Sequence, residues 1–149
     1  MTVTREQVLA RLYPDEPDYE GAAHLGPEAL PYLMQLVEEG DPALASKATS
    51  LASVIEAAGS AEVVDKAARS PDPVIRVAAA AALGNLSEMP GPLAQRMLND
   101  EDVGVRKLAL RSLERQQPSG YKQKAQQMAA NDPNPVLRET ASRVADQLS

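Results

Sequence analysis

The stretch Ser70-Pro-Asp-Pro-Val-Ile-Arg-Val-Ala-Ala-Ala-Ala-Ala-Leu-Gly-Asn-Leu86 constrains the fold more than any other part of the chain. It reads as a turn, a helix start and a small-residue helix. Asp72 can accept hydrogen bonds from the unpaired N–H groups of a first helical turn. Pro73 then occupies the first helical position, where its missing N–H costs nothing. The run of alanines lets a neighbouring helix approach closely, and Leu83 and Leu86 supply larger apolar contacts.

Weaker copies lie on both sides, so a repeat is sought before any other organisation. Val74-Ile75-Arg76 aligns with Gly104-Val105-Arg106 and Val136-Leu137-Arg138, the arginines being 30 and 32 residues apart. Four residues before each arginine stands a capping side chain, Asp72, Asp102 or Asn134. Two residues earlier come Ser70, Asp100 and Asp132. Ala79, Ala109 and Ala141 follow three residues after the arginines, and Leu83, Leu113 and Ala145 seven after. An upstream copy, Asp41-Pro42-Ala43-Leu44-Ala45, keeps the cap and puts Ala45 in place of the arginine.

The intervening segments carry helical apolar stripes. Leu30, Leu33, Met34 and Val37 line one over 27–39, and Val63, Val64 and Ala67 another over 60–69, which opens on a Ser60 cap. Leu93, Met97 and Leu98 mark 90–99, and Tyr121, Ala125, Met128 and Ala129 mark 119–131. Helices of about three turns are marginal alone and need tertiary packing of their apolar faces. Thr4–Leu12 and Tyr19–Leu25, joined by the turn Asp15-Glu16-Pro17, form a degenerate first unit closed by Gly26. The expectation is one domain over 1–149 with units 2–26, 27–59, 60–89, 90–117 and 118–149, stacked so that neighbours cover each other's faces.

Composition agrees. The chain has no Cys, Trp or Phe and only four Tyr, so many thin helix–helix contacts replace a thick aromatic core. No segment alternates as a strand does, and frequent prolines cut the chain into short pieces. The fold class is all-α. Absence of cysteine removes disulfides, thiol catalysis and thiolate metal sites together. No apolar run approaches the ~20 residues of a membrane span, and the N-terminus lacks a signal-peptide core. A cytoplasmic location and no membrane partner are expected.

The pattern Asp-x-x-Val/Ile/Leu-Arg-x-x-Ala with Leu-Gly following resembles the HEAT repeat, and more narrowly the short bacterial type named for phycobilisome lyases. The residues carrying it are Asp72–Arg76 through Leu83-Gly84, Asp102–Arg106 through Leu113, and Asn134–Arg138. The resemblance implies a right-handed α-solenoid of about five helix pairs. In it the arginine-bearing helices, over 42–58, 72–86, 102–116 and 134–148, line the concave face. The family includes scaffolds, lyase subunits and enzymes, so fold does not settle function. The arginines themselves are expected to pair with turn carboxylates such as Asp72, Asp100, Asp102 and Asp132 in a ladder between units, fixing register.

Catalytic constellations were sought and not found. His24 is the one histidine, and a metal site needs several converging ligands. HEAT-like di-iron hydroxylases carry repeated His-Glu pairs, which this chain lacks. HEAT-like DNA glycosylases use a basic concave face with aromatic residues, whereas this chain has a net charge of −6 and no Trp or Phe. Nucleic-acid affinity rests on neutralising phosphates, so no nucleic-acid partner is expected. No Gly-rich phosphate loop follows a strand. Helix capping accounts for Asp100-Glu101-Asp102 without a cation. No cofactor and no metal are expected.

Charge is uneven: residues 1–75 hold 13 acidic and 5 basic side chains, and residues 76–149 hold 8 and 10. Variation among solvated faces accounts for this as well as function does. The expected concave surface includes Thr49, Ser53, Val77, Ala80, Ala81, Lys107, Leu110, Arg111, Ser142 and Arg143, small and apolar at its centre and basic toward its C-terminal side. Such a groove suits an extended or helical peptide whose acidic groups reach Lys107, Arg111 and Arg143. Ala80 and Ala81 serve equally as plain helix formers. The leading expectation is a non-catalytic, monomeric protein-binding scaffold or adaptor. The resemblance alone implies the alternative, a phycobiliprotein lyase or chaperone-like subunit handling a tetrapyrrole-bearing protein.

Overall fold

The computed structural model describes residues 2–149. Ten α-helices follow one another: α1 (Arg5–Leu12), α2 (Tyr19–Ala22), α3 (Leu30–Glu39), α4 (Pro42–Val54), α5 (Gly59–Ala68), α6 (Pro73–Ala82), α7 (Gly91–Leu98), α8 (Val103–Gln116), α9 (Lys122–Asn131) and α10 (Pro135–Gln147). Short 3₁₀ turns extend α2 and α6 and precede α3, and no strand occurs among the described residues. The class is all-α, and the helices form a solenoid of antiparallel pairs.

Helix starts are set locally. Thr4 closes a reciprocal capping box with Gln7 at α1. Asp41, Asp72, Asp102 and Asn134 each accept a backbone N–H at the start of α4, α6, α8 and α10, with Pro at the first position of all but α8. Ser60, expected as a cap, instead lies inside α5, where its buried hydroxyl donates to the Ile55 carbonyl. That bond belongs to a turn that stops α4 at Val54, short of residue 58. Ile55 is extended there and buried. Likewise α9 begins at Lys122 rather than at Ser119.

The even-numbered helices form one layer and the odd-numbered helices the other. In the even layer α4, α6, α8 and α10 touch side by side along the whole stack, whereas in the odd layer α5 and α7 barely meet and α9 packs chiefly on α10. Small side chains permit the close even layer: Ala45, Ala48, Ala52, Ala79, Ala80, Ala82 and Ala109 are all buried. A stack whose two layers are unequally spaced curves toward the closer one, so the even layer is the inner face. Between the layers lie Leu33, Leu36, Leu51, Ile75, Leu83, Met97, Leu98, Leu113 and Leu137, each essentially inaccessible. Burying one such side chain contributes roughly 1.5–3 kcal/mol.

Candidate functional site

Two sets of side chains recur in step with the repeat. The first is the arginines. Arg76 donates from Nη1 to the carbonyls of Ser70 and Pro71 at 3.1 and 3.2 Å, holding its own turn. Its Nε and Nη2 then reach forward to the Asp100 carboxylate at 3.1 and 3.4 Å. Arg106 repeats the device, with Nη1 on the carbonyls of Asp100 and Glu101 and Nε and Nη2 on Asp132 at 2.9 and 3.2 Å. Both arginine side chains are 12% exposed, and Asp100 and Asp132 are 10% and 5% exposed. Asp100 and Asp132 also accept the N–H groups of Asp102 and Asn134, which shapes each turn. The expected ladder therefore exists at Arg76 and Arg106, whereas Arg138 meets no carboxylate among the described residues. Its carboxylates are Asp100 and Asp132, while Asp72 and Asp102 serve as helix caps. Arg138 binds the Asp132 carbonyl at 2.7 Å. Arg76 and Arg106 with their acids tie successive turns together and are spent doing so, while Arg138 holds only its own turn.

The second set is the inner surface. Counting from the arginine position, residues one further on are Ser46, Val77, Lys107 and Glu139, and residues five further on are Ser50, Ala81, Arg111 and Arg143. All eight are half-buried or exposed, so these two rows form the accessible inner face. Tyr19 of α2 adjoins the second row. Burial raises its hydroxyl pKa above the ordinary tyrosine value, and a hydrogen bond with Ser50 pulls it partly back.

Four of the residues expected on this face do not reach it. Thr49, Ser53, Ala80 and Leu110 are buried at 0, 3, 0 and 0% exposure. Thr49, Ala80 and Leu110 stand four residues after the arginine position, in a row that is buried in each of the three helices. Thr49 satisfies its hydroxyl on the Ala45 carbonyl. Ser53 donates to Ser50 and accepts from Asn85 of the 3₁₀ turn that follows α6. The Ala80 carbonyl accepts from Ser112 of α8 at 2.6 Å. Ser142, the equivalent in α10, is exposed. Val77, Ala81 and Lys107 are half-buried, and Arg111 and Arg143 are exposed.

Charge on the face is concentrated on α8. Arg143 is engaged by Glu114, Nε to Oε2 at 3.2 Å, and Gln147 donates to the same carboxylate at 2.9 Å. Lys107 and Arg111 form no ion pair among the described residues. Beside them α6 presents only Val77, Ala78 and Ala81, all uncharged. Arg115, missed in the sequence reading, lies in the next row and donates to Asn85 at 2.7 Å. It stands four residues beyond Arg111, a spacing that places both on one helix face.

No group of three or more metal-ligating side chains converges among the described residues, and His24 is exposed in a 3₁₀ turn. No helix of the described residues is long and apolar enough to cross a membrane.

No curated protein matches the chain. A family model for HEAT repeats matches residues 60–146, which spans α5 through nearly all of α10 and contains every complete arginine rung of the inner helices. The match is to the repeat and carries nothing particular to phycobilisome lyases. HEAT repeats generally serve as protein-interaction scaffolds. On the matched repeats, the paired-helix stack and the Arg-to-Asp rungs between turns, the chain belongs to the HEAT-repeat family.

Proposed function

We propose that this protein is a non-catalytic adaptor that holds an acidic protein segment on its inner face across α6 and α8. The observation that carries the reading is the contrast among its cations. Arg76 and Arg106 are consumed by rungs and Arg143 by Glu114, while Lys107 and Arg111 stand without a carboxylate beside the uncharged Val77 and Ala81. Carboxylates of a bound segment would reach Lys107, Arg111 and Arg115, whose charge-assisted hydrogen bonds are roughly twice as strong as neutral ones. Val77 and Ala81 would take its apolar side chains. In this reading the protein works as a cytoplasmic monomer and needs no cofactor.

The test is an affinity capture from the native host with wild type and with the double variant Lys107→Glu/Arg111→Glu. Arg111 is exposed and the half-buried Lys107 forms no ion pair among the described residues, so helicity by circular dichroism is expected to be unchanged. Recovery of a partner by wild type alone supports the reading. A partner that binds both proteins equally would place the binding surface elsewhere, and salt-sensitive binding of duplex DNA would replace a protein partner with nucleic acid.

A further inference from the structure

Each rung leans forward along the stack. Nη1 of Arg76 and of Arg106 holds the carbonyls of its own turn, while Nε and Nη2 reach the acid that stands six residues before the next arginine. Arg138 begins in the same way, with Nη1 on the Asp132 carbonyl at 2.7 Å. It is half-buried, and its Nε and Nη2 meet no acceptor among the described residues. The α9–α10 end of the stack thus carries a guanidinium already oriented as its two predecessors are, without their carboxylate.

The α1–α2 end carries the matching acid. Asp18 caps α2 as Asp72 caps α6, and Glu16, two residues earlier, stands at the register of Asp100 and Asp132. Glu16-Pro17-Asp18 repeats the layout of Asp132-Pro133-Asn134: acid, proline, cap. A glutamate can serve at this register, since Glu39 holds it in the next unit and pairs with Arg5. Lys47 steadies the turn, its Nζ donating to the Pro14 carbonyl at 2.9 Å. Glu16 is exposed and forms no ion pair among the described residues. Beside it Tyr13 is the most exposed of the large hydrophobic side chains, at 64%. The ends also differ in charge. Residues 2–26 hold five acidic and two basic side chains, and residues 118–149 hold three and four.

We infer that a second copy of this chain docks head to tail on the first, the Arg138 guanidinium of one copy completing a rung on the Glu16 carboxylate of the other. The junction repeats between molecules what the fold does within one: Nε and Nη2 form a fork on the two oxygens of a turn acid. Such a contact is heterologous, so every copy that joins presents a further Arg138 or a further Glu16, and growth does not stop at two. One ion pair beside one tyrosine makes a weak junction, so concentration governs it. Dilute chains stay single, as the adaptor reading has them, and Lys107 and Arg111 take no part.

The test is sedimentation equilibrium of the full chain at low salt, from micromolar to millimolar concentration. The average mass is expected to rise past twice the 15.9 kDa of one chain without a plateau, and to fall back as added salt screens the pair. Arg138→Glu and Glu16→Arg are each expected to weaken association about tenfold or more, roughly 1.4 kcal/mol. Glu16 is exposed and makes no bond within the fold, so Glu16→Arg keeps the test clear of any unfolding in Arg138→Glu. An equal mixture of the two variants is expected to associate again, because one retains Glu16 and the other retains Arg138. The inference is overturned by a mass that stays at one chain, by a plateau at two, by either variant associating as wild type does, or by a mixture no better than its parts. Loss of association in Lys107→Glu/Arg111→Glu would overturn it as well and put the self-contact on the inner face.

Discussion

Glu39 accepts both of its short contacts from one arginine, Nη2 of Arg5 lying 2.8 and 2.9 Å from its two carboxylate oxygens. Glu39 stands six residues before Ala45, the place that Ser70, Asp100 and Asp132 hold before Arg76, Arg106 and Arg138. The first boundary of the stack thus has a rung of its own, supplied from α1 rather than from an inner helix. Rungs follow a rule across the molecule. At the boundaries carrying Arg5–Glu39, Arg76–Asp100 and Arg106–Asp132 the outer helices meet little or not at all. At the boundary between α3–α4 and α5–α6, where both layers pack closely, the arginine is Ala45 and the acid is Ser70. Ion pairing stands in where apolar contact is thin.

Replacing Arg106 by Ala leaves Asp132, whose side chain is 5% exposed, without a counter-charge and uncaps two turn carbonyls. Breaking a buried pair from one side costs about 3–5 kcal/mol. For a domain of this size that is a fall in Tm of roughly 10 °C. Arg106→Lys is expected to recover little, because an ammonium cannot serve the carbonyls and the carboxylate together. Thermal melts of the two variants check both statements, and an unaltered Tm in Arg106→Ala would remove the rung from the account of stability.

Building the missing rung is expected to fail. Ala45 is fully buried, unlike Arg76 and Arg106, and a guanidinium there must displace packed neighbours. Overpacking costs typically about 1–3 kcal/mol. The double variant Ala45→Arg/Ser70→Asp should therefore melt below wild type, and a higher Tm would contradict the division between packed and ion-paired boundaries.

Ser112 joins α6 to α8 through one hydroxyl. It accepts from the Gly84 N–H at 3.0 Å and donates to the Ala80 carbonyl at 2.6 Å, and it is 1% exposed. Ser112→Ala strips Gly84 of that partner, at a cost of about 1–3 kcal/mol. Chemical denaturation would show a lower midpoint at unchanged slope. Gly84→Ala should act at the same contact, since an added Cβ would lie 3.3 Å from the Ser112 hydroxyl and 3.0 Å from Arg115.

How much of this was legible in sequence differs by residue. Asp41, Asp72, Asp102 and Asn134 were readable as caps because capping is local. Arg76 and Arg106 were readable as rungs because they recur with acids at fixed distance. The inner face is narrower than expected at Thr49, Ser53, Ala80 and Leu110 because α4, α6 and α8 are each packed on three sides, by an outer partner and by an element before and a helix after. A single amphipathic stripe describes a helix packed on one side, so it leaves too wide an open arc. Arg115 was overlooked because it stands two turns beyond the motif arginine.

Asp65 is an acid whose ionisation contributes to stability at the α5–α7 boundary. Burial pushes its pKa up, but hydrogen bonds and charge from Arg69 and Arg96 outweigh this and hold the carboxyl below its ordinary value. A depressed folded pKa means stability that is present above the unfolded value of about 3.9 and lost as pH falls through the folded one. The groups are each more than a third exposed, so the contribution is under about 1 kcal/mol. Asp65→Asn is expected to be slightly less stable than wild type near neutrality, with the gap closing in strong acid. A gap that persists or widens in acid would show that the carboxylate's charge is not what α5 and α7 share.

The unequal spacing of the two layers also gives the molecule a direction in which it yields. Bending that opens the outer side at α5–α7 and α7–α9 breaks few apolar contacts, while bending that parts α4 from α6 or α6 from α8 must tear closely fitted alanines. A change of curvature at the back, around the short helix α7, would disturb fewer close contacts than one at the face that carries Val77 and Lys107.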